Sequence, residues 1–315
     1  MITVDLITGF LGSGKTTFLK KYVRFLMDRG ENVCILENDY GAVNIDTMLL
    51  GELVKSGCGI ETVAGACDKD CHMRRFKTKL IAMGMSGYSR VVIEPSGIFD
   101  VDEFFDTLRE SPLDKWYQIG SVITIVDPTL HESLSDESRF LLASQAAVAG
   151  QIVFSFCSIA SKEDISRSLN EINSAMKQIK CSRNALEYYT AIPWDDLTPD
   201  QLYSISSSGS YPADFVKLHF ESGGFESIYF MNKEFTPDAL KNAAESVLNS
   251  SLCGNVFRIK GFTKSGGEWY EINASHSAVY FGTIPEGQNV VIVIGENLNK
   301  YEIQRIFDTK ELNCS

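Results

Sequence analysis

The chain has 315 residues, 44% hydrophobic and 22% charged, which is enough apolar material for a large core and argues against a disordered chain. Its 41 acidic against 29 basic residues leave a net charge of −12, which excludes duplex nucleic acid as the expected main partner, because phosphate backbones are held by a basic face. No apolar run approaches the roughly 18 residues that a membrane span needs, so no bilayer crossing is expected.

In chain order, "ITVDLIT" reads as a strand and "TTFLKKYVRFLMDRG" as an amphipathic helix. Between them Gly9-Phe10-Leu11-Gly12-Ser13-Gly14-Lys15-Thr16 fits G-x-x-x-x-G-K-[ST] at every fixed position. A plain turn would also use glycines. Strand, loop and helix together imply more: backbone N–H groups turned inward as an anion nest, the positive end of a helix behind them, Lys15 for the β- and γ-phosphates and the Thr16 hydroxyl for Mg²⁺. A nucleoside triphosphate is the expected ligand. Since this strand feeds the loop, it is not expected to be a cleaved secretory leader, and a cytoplasmic protein follows, its eight cysteines free thiols or metal ligands rather than disulfides.

The apolar runs "NVCILEND", "SRVVIEPSG", "IGSVITIVD" and "QIVFSFCSIAS" read as further buried strands, separated by helical or loop segments. That alternation implies βαβ units and a mainly parallel sheet flanked by helices. Three of the four end in polar groups, as strand ends do where they line a ligand crevice. In "ILENDYGAVNID", Asp39 is placed to approach Mg²⁺ or position an attacking water, with Asp46 farther along; a solvated Asn-Asp turn is the alternative. In "RVVIEPSGIFD", Glu94 is a candidate acid for Mg²⁺ and Gly97 could bring its N–H to the γ-phosphate; a cap or ion pair is the alternative for Glu94. Ser161-Lys162-Glu163-Asp164 is a candidate base reader: a carboxylate at Asp164 can accept two N–H bonds from guanine, and the Lys162 stem can lie along a purine. An exposed helix start explains the same four residues.

Around "DDLTPDQLYSISSSGSYPADF" the composition turns to Ser, Gly and Pro, which places a domain boundary near residue 215. The first domain is then 1–215 and the second 216–315. In the second, "TPDALKNAAESVLNSSL" opens a helix with Thr236 and Pro237 at N-cap and N1. Strand-like "NVFRIKGF", "EWYEINAS", "SAVYFGTI" and "NVVIVIG" and a helix from about Asn299 complete a smaller α+β domain with an antiparallel sheet.

These residues together resemble the CobW-type P-loop GTPases, relatives of the hydrogenase and urease maturation GTPases, over nearly the whole chain. "GFLGSGKTT" is similar to the family's Walker loop, "NDYGAVNID" to its N-E-F-G-x-x-x-I-D segment, "EPSG" to E-[TS]-[ST]-G and "QIVFSFCSIASKED" to its Q-I…N-K-x-D run. "FRIKGF", Trp269 and "VVIVIGENLN" are similar to its C-terminal domain. The resemblance implies a P-loop NTPase fold and a GTPase coupled to delivery of a metal or metal cofactor to a client protein; because no Gln or Arg is identifiable as a water-orienting or charge-stabilising group, its intrinsic turnover is expected to be slow. It assigns nucleotide and Mg²⁺ to Gly12, Ser13, Gly14, Lys15, Thr16 and Thr17, the acidic switch to Glu94, and base reading to Lys162 and Asp164. Asp39 stands for the family's Glu. Ser161 stands for its Asn, so guanine selectivity is expected to be weaker, and ATP is the alternative nucleotide.

The family's metal motif G-C-x-C-C is replaced by "GACDKDCHMRR", where Cys67 matches one cysteine and Cys71 with His72 follows. Thiolate and imidazole suit Zn²⁺ or Co²⁺, and Cys58 is a candidate third sulfur. Two other classes stay open: an ATPase remodelling a corrinoid or other cofactor protein, and a nucleotide-binding scaffold that moves no metal. A homodimer paired across nucleotide faces is a further expectation from relatives.

Overall fold

The computed structural model describes residues 1–38, 50–63, 69–97, 99, 101–129, 134–212, 215–216 and 225–311, with the backbone alone for 69, 70 and 309–311. Asp39, Asp46 and Cys67 lie outside the described residues. The chain divides into two compact units, Met1–His219 and Phe220–Ser315.

The first unit is built on seven strands: β1 (Ile2–Gly9), β2 (Val33–Asn38), β3 (Gly59–Val63), β4 (Arg90–Pro95), β5 (Tyr117–Val126), β6 (Gln151–Phe154) and β7 (Tyr189–Thr190). They form one parallel sheet in the order β3-β2-β4-β1-β5-β6-β7. The chain works outward from β1 on one side, returns through β4, then crosses β1 to build the other side. The C-terminal end of β1 is therefore the place where strand order reverses, the usual position of a ligand crevice in such sheets.

The helices are α1 (Lys15–Asp28), α2 (Gly51–Lys55), α3 (Lys69–Gly84), α4 (Val101–Arg109), α5 (Leu113–Trp116), α6 (Asp136–Val148), α7 (Lys162–Gln178) and α8 (Pro199–Ser206). They bury the two faces of the sheet separately. Val4, Leu6, Leu36, Ile93, Phe76 and Phe104 belong to one apolar cluster, and Ile7, Ile35, Val92, Ile123, Phe18 and Leu202 to the other. Strand residues two apart share a face, which is why near-continuous apolar runs feed both clusters.

One charge lies under this frame. Asp5, in the middle of β1 and fully buried, accepts from Tyr22 Oη (2.9 Å), Arg90 Nε (2.6 Å) and Nη2 (3.1 Å to Oδ1) and from the Ser121 N–H (2.7 Å). Every lone pair used is matched by a donor from β4, β5 or α1, which is the condition on which a buried carboxylate is tolerated. Burial and the neighbouring Asp5 charge together push the Tyr22 phenol well above its ordinary range.

The second unit holds β8 (Phe225–Met231), α9 (Pro237–Asn249), β9 (Asn255–Ser265), β10 (Glu268–Ala274), β11 (Val279–Ile284), β12 (Val290–Glu296) and α10 (Lys300–Glu311). Its sheet is antiparallel throughout, in the order β11-β10-β9-β12-β8. Thr236 caps α9 by accepting from the Ala239 N–H, with Pro237 at the first helical position. Phe230, Phe235, Leu240, Val247, Val291, Ile303 and Phe307 fill its core.

Two sequence expectations change here. "QIVFSFCSIAS" is not one long strand: β6 ends at Phe154, and Phe156 takes a left-handed φ of 50°, which turns the chain out of the sheet. Strands β3, β7 and β8 are not among those expected from the sequence, since each carries few fully buried residues and lies at a sheet edge.

Candidate functional site

The loop between β1 and α1 is shaped by its glycines. Gly9 (φ 143°) lies against β5, where an added Cβ would stand 2.2 Å from the Ile125 carbonyl oxygen. Gly12 (φ 80°) and Gly14 (φ 92°) take left-handed conformations, Gly14 as the N-cap of α1. The helix thus begins at Lys15 with its first N–H groups facing the loop. Lys15 is buried and its Nζ donates to the carbonyls of Gly9 (3.0 Å) and Phe10 (3.3 Å). Ser13 is fully buried, and its Oγ makes no hydrogen bond among the described residues. Thr17, next after Thr16 on the helix, is exposed.

The acidic side of the site comes from β4. Glu94 is 7% exposed, and its Oε1 accepts from Thr16 Oγ1 at 2.8 Å, which ties the loop–helix junction to the end of β4. Glu37 stands at the matching register position in β2, on the same sheet face and equally buried, so two carboxylates neighbour one another beside a lysine-bearing loop. Past β4 the chain presses against the phosphate loop. A Cβ at Gly97 would meet Leu11 N at 2.6 Å, so the close approach requires glycine there. The Gly97 carbonyl also accepts from Gln145 Nε2 (3.5 Å) on α6.

Asn38, the last residue of β2, joins two further elements. Its carbonyl accepts from the Ser96 N–H (2.8 Å), and its Oδ1 accepts from His72 Nε2 (2.6 Å) on α3, both side chains fully buried. His72 is thus held as a buried hydrogen-bond donor between α3 and the strand that leads to residue 39.

The base-reader candidates have a structural employment. Ser161 is the N-cap of α7 and Asp164 its third residue, in a capping box: Ser161 Oγ accepts from the Asp164 N–H (3.1 Å) while Asp164 Oδ2 accepts from the Ser161 N–H (2.9 Å) and Oγ (2.7 Å). Asp164 Oδ1 accepts from Arg167 Nη2 (2.7 Å). These bonds, those from Ser161 first, hold the Asp164 carboxyl below its ordinary range. To read a base, Asp164 would have to release the helix start. Lys162, the first residue of α7, is exposed. Replacing Ser161 with Ala is expected to cost about 1 kcal/mol of stability, read from urea unfolding, with the ratio of GTP to ATP affinity unchanged; a changed ratio would return the base-reading role to this segment.

The cysteines separate along β3. Cys58 precedes the strand, its Sγ–H directed at the carbonyls of Val33 (3.5 Å) and Gly59 (3.3 Å), and burial pushes its thiol up to about 11. Cys67 and Cys71 come after the strand's other end. Five residues at about 3.3 Å each put on the order of 16 Å between those ends, so Cys58 is not a third sulfur for a site at Cys71. Cys71 is half-buried on α3. His72 follows it directly and is turned inward onto Asn38.

A family model described as CobW/HypB/UreG, nucleotide-binding domain matches residues 3–186, more than half of the chain. The chain belongs to the CobW/HypB/UreG family. A second model, the cobalamin synthesis protein cobW C-terminal domain, matches residues 226–310. The chain is 30% identical over 154 residues to zinc chaperone YeiR of Escherichia coli, 49% of this chain and 46% of that protein. It is 27% identical over 181 residues to zinc chaperone YjiA of the same organism, 55% of each. Zinc-regulated GTPase metalloprotein activator 1 of Dictyostelium discoideum is 23% identical over 312 residues, 83% of this chain and 62% of that protein. The chain therefore spans about half the length of the first two relatives it matches.

Within this CobW/HypB/UreG domain the structure brings Lys15, Thr16, Glu94 and Gly97 together around one loop. It sets Lys162 and Asp164 at a helix start. Two residues have places at this loop that the sequence reading did not give them: Glu37, paired in register with Glu94, and Trp194, whose indole a Cβ at Gly14 would meet at 2.9 Å.

Proposed function

We propose that this chain binds GTP with Mg²⁺, hydrolyses it slowly, and uses the cycle to deliver a metal ion or metal cofactor to a client protein in the cytoplasm. The observation that carries the nucleotide part is the Thr16–Glu94 hydrogen bond across the end of the phosphate loop. It brings together two buried oxygen donors beside a buried lysine, a hard-donor set that suits Mg²⁺. Thr16 and Glu94 would hold the ion, and Gly12, Ser13, Gly14, Lys15, Thr16, Thr17 and Gly97 would surround the phosphates. When bound, Mg²⁺ neutralises charge on the β- and γ-phosphate oxygens. Lys15 would exchange the Gly9 and Phe10 carbonyls for phosphate oxygens, and the inward-turned N–H groups of the loop would take the rest. Asp39 is proposed to position the attacking water.

The metal part is supported by the names of the relatives, two of them zinc chaperones. Cys67 and Cys71 are the proposed thiolates for a Zn²⁺ or Co²⁺ cargo. A second reading, an ATPase that remodels a cofactor protein or a scaffold that moves no metal, is favoured by one observation: in "GACDKDCHMRR" Cys67 alone matches a cysteine of the family's G-C-x-C-C motif.

The test is a calorimetric titration of the full chain, purified anaerobically, with Zn²⁺ and with Co²⁺ in the presence and absence of a non-hydrolysable GTP analogue and Mg²⁺. Metal affinity is expected to change about fivefold or more with nucleotide, the range of coupled sites, and to fall in Cys71→Ser. Metal affinity that ignores both nucleotide and Cys71 would end the delivery reading and leave the second one.

A further inference from the structure

With Mg²⁺ held by Thr16 and Glu94 as proposed above, the direction in which a triphosphate would run is set. Its metal-facing end lies on the β4 side of the loop. The ribose and base then extend to the opposite side, over the C-terminal ends of β5, β6 and β7.

Three loops leave those strand ends. After β5, the buried Asp127 accepts from the Thr129 N–H (2.8 Å) and Oγ1 (2.7 Å) and is part of a tight turn. After β6 come Ser155, Phe156, Cys157 and Ser158. Ser155 turns back to the Val126 carbonyl through its N–H (2.9 Å) and Oγ (3.2 Å), and the Cys157 thiol turns back to the Phe154 carbonyl (3.4 Å). After β7 come Ala191, Ile192, Pro193 and Trp194.

Trp194 joins the phosphate loop to the end of β6. Its Nε1–H donates to the Phe154 carbonyl (3.0 Å), and its ring meets Phe18 of α1 edge-on at 5.5 Å. A Cβ at Gly14 would stand 2.9 Å from its Cη2 and 3.6 Å from the Ser155 Cβ. A half-buried indole thus walls the phosphate loop on the side where the base must leave it.

Guanine differs from adenine in presenting two adjacent N–H donors, and selecting it takes a fixed acceptor, commonly a carboxylate. A pocket built around such an acceptor rejects the wrong base by about 10⁴-fold or more, whereas apolar contact discriminates weakly. The first four residues after β6 and after β7 contain no carboxylate. Asp164 is committed to the α7 capping box, and Asp195 and Asp196 are exposed in the single turn beyond Trp194.

We propose that the base is held by stacking against the Trp194 indole with no carboxylate reading it, so that the substrate class is purine nucleoside triphosphates, ATP as well as GTP. This rests on the phosphate-loop reading above and extends it to the base.

The test titrates the full chain, in Mg²⁺, with non-hydrolysable GTP and ATP analogues and with inorganic tripolyphosphate, which has no base. Wild-type Kd values for the two nucleotides are expected within tenfold of each other. Trp194→Ala is expected to weaken both by about tenfold, the scale of one base–aromatic stack, and to leave tripolyphosphate unchanged; Trp194→Phe, which keeps a ring in place, should recover most of the loss. A GTP preference of tenfold or more overturns the proposal, as does an equal loss of tripolyphosphate in Trp194→Ala or no loss of either nucleotide. If wild type binds tripolyphosphate and selects GTP, the base inference alone fails. If it binds none of the three, the phosphate-loop reading fails and takes the base inference with it.

Discussion

Lys15→Ala is expected to abolish tight triphosphate binding. In the structure the Lys15 ammonium is buried and rests on two carbonyls of its own loop, Gly9 and Phe10, with the positive end of α1 beginning at the same residue. Carbonyl dipoles compensate a buried ammonium only in part, whereas phosphate oxygens form charge-assisted bonds about twice as strong as neutral ones. The Gly9 and Phe10 carbonyls are therefore partners that an arriving phosphate can displace. Removing one member of a close, desolvated charge pair costs about 2–5 kcal/mol, equivalent to a rise in Kd of roughly thirtyfold to several thousandfold. Stability of the empty protein is expected to fall less than affinity does, since the variant loses a desolvated charge along with the hydrogen bonds to Gly9 and Phe10. A fluorescent GTP analogue and a thermal melt read the two quantities separately. Unchanged affinity in a folded Lys15→Ala protein would sink the phosphate-loop assignment.

The phosphate loop could be found in the sequence because its parts are local: eight consecutive residues, the strand before them and the helix after them carry the whole signal. The sheet was legible for a similar reason, since β1, β2, β4 and β5 are buried on both faces and spell continuous apolar runs. The same logic misled at β6. Apolar residues continue past Phe154 to Ile159, but the left-handed turn at Phe156 takes them out of the sheet, and nothing in the identity of a phenylalanine announces a positive φ. That single backbone feature separates Ser161-Lys162-Glu163-Asp164 from the strand end and leaves Asp164 to close a capping box. Contacts across long sequence distances were equally hidden. Trp194 reaches Gly14 and Phe18, and His72 reaches Asn38, only because βαβ crossovers return the chain to the same end of the sheet.

Glu94→Gln is expected to lower GTP turnover by about 10²–10³-fold, the scale of one well-placed electrostatic contact, while nucleotide affinity changes far less. Gln is isosteric with Glu, and its amide oxygen can accept the Thr16 hydroxyl as Glu94 Oε1 does at 2.8 Å, so the junction between loop and β4 should survive. What the variant loses is negative charge in a buried site, where an ionic contact is worth several times its value in water. A charge that serves only to bind Mg²⁺–nucleotide would affect Kd and turnover together; one that orients the reacting end of the phosphate chain would affect turnover alone. Single-turnover hydrolysis measured beside Kd separates these cases. Glu37 supplies the internal control, because it occupies the same register position one strand away on the same sheet face and is as buried as Glu94. Turnover that survives Glu94→Gln and collapses in Glu37→Gln would move the acidic role from β4 to β2. Loss in Glu94→Gln with near-normal turnover in Glu37→Gln would mean that a place at the end of β4, and not burial beside the loop alone, selects which of two neighbouring carboxylates serves the reaction.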